Sequence, residues 1–297
     1  MYNKGVEIAL NFVPVQKKDF TWTANFNVTF NKNEVTSLAP GLTNIIAATG
    51  GLESPSITVV GESLGMLFVT RTAGVDPATG RRIFINKDGD RVLFQHVIPA
   101  GTTGFRFEYE DGTAAPSISS ADAVVYKNTL PKFFGGFDNT FRYKNFELNT
   151  LFTFQGGNYV YWGTYAGLRD QRFWNNSTDV LRAWTKSGDV TDMPKSYFGD
   201  NVSNGSSFPL DINVFKGDFI KLRTLTLAYN LPMAVTSRVK INNLRFYVAG
   251  NNLWIGTQYP GPDPEVSSNG TGNINQGIDR NTVGNQRGVT VGMNVGF

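Results

Sequence analysis

The chain of 297 residues has no cysteine and a single histidine, His96. The first absence excludes a disulfide scaffold and a thiolate metal site. The second excludes any site built on two imidazoles. Charge is also scarce: charged residues make up 17% of the chain, against the ~25% usual in soluble domains. The 27 basic and 24 acidic residues leave a net charge of +3, and no run of Lys or Arg exceeds two, so a nucleic-acid partner is not expected. No stretch reaches the ~18 to 20 apolar residues of a membrane helix, and the mildest candidate, 35–52, is broken by Pro40 and by Ser, Thr and Asn. The first residues carry no basic region followed by an apolar core, so no signal peptide is expected in this stretch. That leaves a cytoplasmic protein or a sequence whose true start lies elsewhere.

What the chain does have is Gly (32), Asn (29), aromatics (13%) and strict alternation. Phe20, Trp22, Ala24, Phe26, Val28 and Phe30 alternate with Thr21, Thr23, Asn25, Asn27, Thr29 and Asn31. Period two over twelve residues predicts a strand with one apolar and one polar face. The preceding Val6, Ile8, Leu10 and Phe12 pattern makes it an antiparallel hairpin through the short link at 14–19. The same alternation predicts a hairpin of 132–143 and 146–156 turning at Lys144 and Asn145. A third pair covers 218–230 and 244–254, and a last strand covers 287–297. In the 219–229 strand the apolar parity switches between Leu222 and Leu225. Two readings stay open: a β-bulge near Arg223 or Thr224, or Lys221 and Arg223 snorkelling at an interface.

Links of two kinds join these strands. Those at 14–19, 144–145 and 231–242 are short or moderate. Those at 34–131, 157–216 and 257–285 are long and rich in Gly, Asn, Ser and Pro. A soluble sandwich has no reason to sort its loops this way, whereas an outer-membrane barrel has short periplasmic turns and long external loops. Eleven residues at ~3.3 Å each, tilted ~40°, rise ~25 to 28 Å, the height of such a barrel's apolar band. The fold class expected is all-β, with about seven transmembrane strands of a larger antiparallel barrel. Seven is odd, and single-chain bacterial barrels have even numbers. The last strand, with Val289, Val291, Met293, Val295 and the terminal Phe297, is similar to the C-terminal signal read by the barrel assembly machinery, and it orients the long loops outward.

The motifs then resemble one family from end to end. Asn3-Lys4-Gly5-Val6-Glu7 and Asp19-Phe20-Thr21-Trp22 open the first strands, followed by Gly74-Val75-Asp76-Pro77-Ala78-Thr79-Gly80 and Lys87-Asp88-Gly89. Pro131-Lys132-Phe133-Phe134-Gly135-Gly136, Phe219-Ile220-Lys221-Leu222-Arg223 and Leu227-Ala228-Tyr229-Asn230-Leu231-Pro232 come next. Asn251-Asn252-Leu253-Trp254, Gly261-Pro262-Asp263-Pro264-Glu265-Val266 and Gly277-Ile278-Asp279-Arg280 close the series. In this order they resemble the C-terminal portion of SusC/RagA-type TonB-linked outer-membrane proteins, the glycan and peptide importers of Bacteroidetes. The resemblance implies that residues 1–297 form part of a 22-stranded barrel in the bacterial outer membrane. The plug, the TonB-contacting segment and the signal peptide would lie outside this stretch. It further implies a SusD-like surface lipoprotein as partner, an oligosaccharide or peptide as ligand, no cofactor and no enzymatic activity. The alternatives are a soluble or surface-attached all-β glycan-binding module and an outer-membrane barrel enzyme. The lone histidine and the missing nucleophile motif weigh against the second.

Candidate contacts are few. Tyr161, Trp162, Trp174 and Trp184 lie in the external 157–216 segment, with Tyr159 and Tyr165 near them. Aromatic faces there suit a sugar ring or a lid protein, and equally suit loop packing. Trp22, Phe30, Tyr143, Tyr229 and Trp254 read as girdle residues. Asn86, Asp88, Gly89 and Asp90 lack the acidic twelfth position of a calcium loop and read as a hairpin turn. Asp263 and Glu265 suggest a carboxylate pair, but the resemblance places them in the external loop of a non-enzyme.

Overall fold

The computed structural model describes residues 1–49, 53–95, 106–171, 175–270 and 272–297. Seven long strands form one antiparallel sheet: β1 (Tyr2–Gln16), β2 (Phe20–Glu34), β3 (Phe133–Tyr143), β4 (Phe146–Gly156), β5 (Phe219–Asn230), β6 (Asn243–Thr257) and β7 (Gly288–Gly296). They pair in chain order, so each strand lies beside its neighbours in sequence and β1 and β7 are the two edges. The alternation-based strands all appear within a few residues of their expected bounds. The tightest turn, between β3 and β4, is made possible by Lys144 at φ 51°, whose N–H donates to Asp19 O at 2.9 Å.

The registers assemble the alternating residues into two faces. Leu10 pairs with Phe26, Phe26 with Phe137, Phe137 with Phe152, Phe152 with Leu222 and Leu222 with Trp254, so one apolar row crosses six strands. A second row runs through Tyr143, Phe146, Tyr229, Phe246 and Met293. Between these rows the face carries no charged side chain. Its charges sit at the far rim, where Lys32 Nζ lies 2.9 Å from Glu34 and the Tyr2 hydroxyl donates to the same carboxylate. The opposite face carries Asn25, Asp138, Arg142, Glu147, Asn149, Lys221, Arg223 and Arg245. These groups bond among themselves: Arg142 and Arg245 both contact Glu147, and Asn149 donates to Asp138. Val289 and Val291 are 70% and 76% exposed on the apolar face. Burying such side chains is worth ~25 cal/mol per Å², so an apolar sheet this wide requires an apolar medium.

Gly135 makes a gap in that apolar face, and the Phe154 ring lies over it, 2.8 Å from where a Cβ would stand, with Asn27 O closer still. We expect Gly135→Val to destabilise the sheet by about 1 to 3 kcal/mol, as an overpacked site does. A lower temperature for loss of the heat-dependent gel shift in the assembled receptor is the readout.

The long links differ from expectation. Expected only as long external loops, they form, in their described residues, two further sheets. One has eight strands: seven run in order from Asn44–Ala47 to Ala114–Ala115, and Ala123–Val125 pairs at the side of Met66–Val75. The other has three: Tyr159–Trp162 pairs antiparallel with Val214–Lys216 and parallel with Ile278–Asp279. Apart from Met66–Val75 these strands are two to five residues long, too short to show alternation, and segments such as Ser56–Val59 and Arg82–Ile85 are buried on both faces, so period two is lost.

Candidate functional site

The site is built where β5 meets the 257–285 segment. The sheet register slips between Leu222 and Thr224 against β6, and between Leu151 and Phe152 against β4. This is the bulge reading of the parity switch, and it rules out snorkelling. The extra residue keeps both Lys221 and Arg223 on the polar face while Leu222 and Leu225 stay on the apolar one. Lys221 Nζ reaches Asp263 at 3.1 and 3.0 Å and also bonds Glu265. Arg223 bonds Glu265 at 2.5 Å and donates to Asn252 Oδ1 at 3.3 Å. Asp263 additionally accepts from the backbone N–H groups of Glu265 and Asn285 and from Asn285 Nδ2. The carboxylates that suggested a catalytic pair are thus spent on cations. They hold the Pro-flanked turn down inside the wall.

Burial alone would raise the Asp263 carboxyl, but the Glu265 and Asn285 N–H groups and the Lys221 ammonium hold it below the usual carboxylate range. A depressed folded value contributes stability above the ordinary Asp range and loses it as pH falls through that range toward the folded value. The 257–285 segment should therefore resist protease at neutral pH and open progressively below about pH 4. Asp263→Asn should flatten that dependence.

Above the anchor, the three long links interlock as an ordered cap. Phe84, Val92, Phe94, Phe107 and Ile118 of the first link pack with Val202 and Leu210 of the second. Arg82, 2% exposed, donates to the carbonyls of Ser203 (2.7 Å) and Asp192 (2.8 Å). Burial pushes its pKa down only to about 10, so it stays charged at neutral pH. Leu67, Val69, Tyr161 and Ile278 join all three links in a second core. Arg169 bonds Asn213 and lies 3.7 Å over the Tyr165 ring.

The candidate aromatic residues separate. Tyr161 has no accessible surface, because the Tyr159–Trp162 strand is central in its sheet, between Val214–Lys216 and Ile278–Asp279. Trp162 is half-buried and stacks on Tyr165 with centroids 4.5 Å apart, with Phe215 and Tyr259 completing a cluster. The Tyr259 hydroxyl donates to Asp279 at 2.6 Å, and burial with that carboxylate raises its pKa. Trp184 stands elsewhere, covering Gly80 and donating from Nε1 to Pro77 O at 2.9 Å. Trp174 and His96 lie outside the described residues. Asn86 Oδ1 accepts from the N–H groups of Asp88 and Asp90, closing the hairpin turn expected there. Val289, Val291, Met293, Val295 and Phe297 line the apolar side of β7, with Phe297 89% exposed.

Lys221 and Arg223, and Asp263 and Glu265, stand out in the sequence as two separate pairs, and only the fold unites them. The available signals were the parity switch and the two prolines around Asp263. The partners stand about forty residues apart, beyond any local pattern.

No family model matches the chain. It is 30% identical over 302 residues to one TonB-dependent receptor of Formosa agariphila and 31% identical over 304 residues to a second, covering 99% of this chain in both cases. It is 24% identical over 281 residues to the TonB-dependent receptor SusC of Bacteroides thetaiotaomicron, covering 94% of this chain. The chain spans only 28%, 29% and 25% of those three proteins. Among solved structures, the RagAB peptide transporter matches with a TM-score of 0.75 at 22% identity, over 99% of this chain and 29% of that one. The RagAB peptide importer in its closed-closed state matches with a TM-score of 0.74 at the same identity, again over 99% of this chain and 29% of that one. The relatives are named as receptors and transporters rather than enzymes. Along nearly its whole length the chain is similar to one part of SusC/RagA-like TonB-dependent receptors, and its fold is that of an all-β barrel segment of the outer membrane.

Proposed function

We propose that residues 1–297 form the C-terminal part of the barrel wall, with its external cap, in a TonB-dependent importer of oligosaccharides or peptides. The observation that carries this reading is the sheet with one face apolar across six strands and the other polar and ion-paired. A wall between lipid and a wet lumen needs both faces. In this reading β1 and β7 pair with further strands of the same barrel. The plug and the TonB-contacting segment belong to the rest of the receptor, and energy from the inner membrane acts on that plug. A SusD-like lipoprotein covers the cap, and Trp162, Trp174 and Trp184 of the 157–216 segment serve as ligand or lid contacts. The apolar side of β7, ending on Phe297, addresses the chain to the barrel assembly machinery. No catalytic role is assigned.

The test is removal of the intact receptor from cells that carry it, followed by uptake assays with oligosaccharide and peptide pools. Loss of uptake of one class, with the wild-type receptor found in detergent-extracted outer membrane, is expected. Unchanged uptake of both classes, with the protein recovered in the soluble fraction, would favour the soluble binding module.

A further inference from the structure

Charge is sorted along this chain by the end of the wall on which it lies. The long links at 34–131, 157–216 and 257–285 hold 14 basic and 19 acidic residues. The short links at 14–19, 144–145 and 231–242 hold five basic residues, Lys17, Lys18, Lys144, Arg238 and Lys240, and one acid, Asp19. The cap side is therefore net acidic by five charges and the short-turn end net basic by four. All five basic residues are exposed, and none is ion-paired among the described residues. Arg142 and Arg245, at the same end but on the polar face, are by contrast held by Glu147.

The fold sets these charges in one row. The Lys144 N–H donates to Asp19 O at 2.9 Å, which fastens the first short link to the second. Asn145 Nδ2 donates to Asn230 O and the Asn230 N–H donates to Asn145 O, both at 2.9 Å, which fastens the second to the third. The row borders the apolar face directly. Tyr143 belongs to the apolar row at this end, and Lys144 Nζ lies 5.5 Å from the centroid of its ring. The ring face thus keeps that ammonium on the lipid side of the wall rather than in its mouth. In the third link, Met233 and Val235 of the short helix Met233–Thr236 are exposed a few residues before Arg238 and Lys240. Apolar and basic side chains share this rim, and the long Lys and Arg stems reach from it to headgroup level.

Beside the row, an apolar groove of about 220 Å³ opens across β4 to β7, lined by Phe146, Leu227, Tyr229, Phe246, Val248 and Val291. Phe146 and Tyr229, with ring centroids 4.7 Å apart, stand at its end nearest the turns. No charged side chain lines it. A hydrocarbon chain fills such a groove, whereas a polymer with polar groups along its whole length would leave hydrogen bonds unmade there. The row and the groove together match a molecule that is anionic at one end and hydrocarbon at the other. Short turns lie on the periplasmic side of an outer-membrane barrel, so the leaflet concerned is the inner one.

We propose that the short-turn end of the wall holds an anionic phospholipid of the inner leaflet, its phosphate met by Lys144, Arg238 and Lys240 and one acyl chain lying in the groove, an inference that rests on the barrel reading above. Lys17 and Lys18 extend the same positive field along the rim.

The test is native mass spectrometry of the intact receptor in detergent, titrated with dioleoyl phosphatidylglycerol and with dioleoyl phosphatidylcholine, which share their chains and differ in net charge. Glycerol 3-phosphate and polyglutamate are added as soluble competitors. Lys144→Gln combined with Arg238→Gln and Lys240→Gln removes the charge at exposed positions. Val291→Trp fills the groove with a side chain that lipid tolerates, and the heat-dependent gel shift checks assembly of both variants. The expected result is phosphatidylglycerol bound about tenfold or more tighter than phosphatidylcholine, since each basic residue at an anionic surface is worth about fivefold. That preference should fade as ammonium acetate is raised and vanish in the triple variant, and Val291→Trp should weaken both lipids severalfold. Equal binding of the two lipids by the wild-type receptor would show an unselective lipid annulus and overturn the site while leaving the barrel intact. A preference kept in the triple variant would place the anion elsewhere, and Val291→Trp without effect would take the groove out of the site; either overturns it. Displacement of the lipid by glycerol 3-phosphate or polyglutamate would assign the rim to a soluble anion instead. A receptor that stays in solution without detergent and binds neither lipid would remove the barrel reading and the site together.

Discussion

Lys221→Met should release the 257–285 segment, costing about 3 kcal/mol, at the low end of the ~3 to 5 kcal/mol seen when one partner of a buried ion pair is removed. The Lys221 and Asp263 side chains are 3% and 6% exposed, so water cannot replace the lost partner. The low end applies because Asp263 keeps its bonds from Glu265 and Asn285 and Glu265 keeps Arg223. The measurement is limited proteolysis of the assembled receptor, with cleavage appearing between 257 and 287. Lys221→Met combined with Asp263→Asn should recover most of the protection. The pair is then neutral, and the Asn oxygen still accepts from the two backbone N–H groups. Equal cleavage in single and double variants would mean that the segment is held by the cap and not by this anchor.

A charge on the apolar face should be the other large loss. Phe152 sits in the row of Phe137 and Leu222, midway between the rims. Phe152→Arg should cost about 2 to 4 kcal/mol, the value for Arg at the bilayer midplane on a barrel's lipid face. Thr226→Arg, on the polar face beside Asn149 and Ala249, should cost far less, because the guanidinium stays in water. Outer-membrane yield and the urea midpoint of the reconstituted receptor compare the two. Similar losses for both would deny the sheet its lipid side.

The seven wall strands were legible because a membrane imposes its pattern locally: Phe20 to Phe30 must alternate residue by residue to face lipid and water at once. The turn at Lys144 and Asn145 was legible for the same reason, as an interruption of that pattern. The cap was not. Strands such as Ser56–Val59 are four residues long, and their cores join residues as distant as Phe84 and Leu210. Tyr161 illustrates the consequence: an aromatic residue in an external segment resembles a ligand contact in sequence, and only tertiary packing turns it into core. The parity switch around Arg223 was visible, but its meaning depended on Asp263 and Glu265.

A sheet that separates lipid from water labels differently on its two faces. Residues 1–297 hold no cysteine, so single cysteines along β4 can be labelled one at a time in a receptor whose remaining part is cleared of cysteine and reconstituted in bilayers. Fluorophores at Leu148, Thr150, Phe152 and Phe154 should be quenched by nitroxides carried on lipid tails. Those at Asn149, Leu151 and Thr153 should be quenched by a water-soluble agent. Quenching that alternates between the two sets residue by residue is the predicted result; equal access of the water-soluble agent to both sets, with no quenching from the lipid, would contradict it.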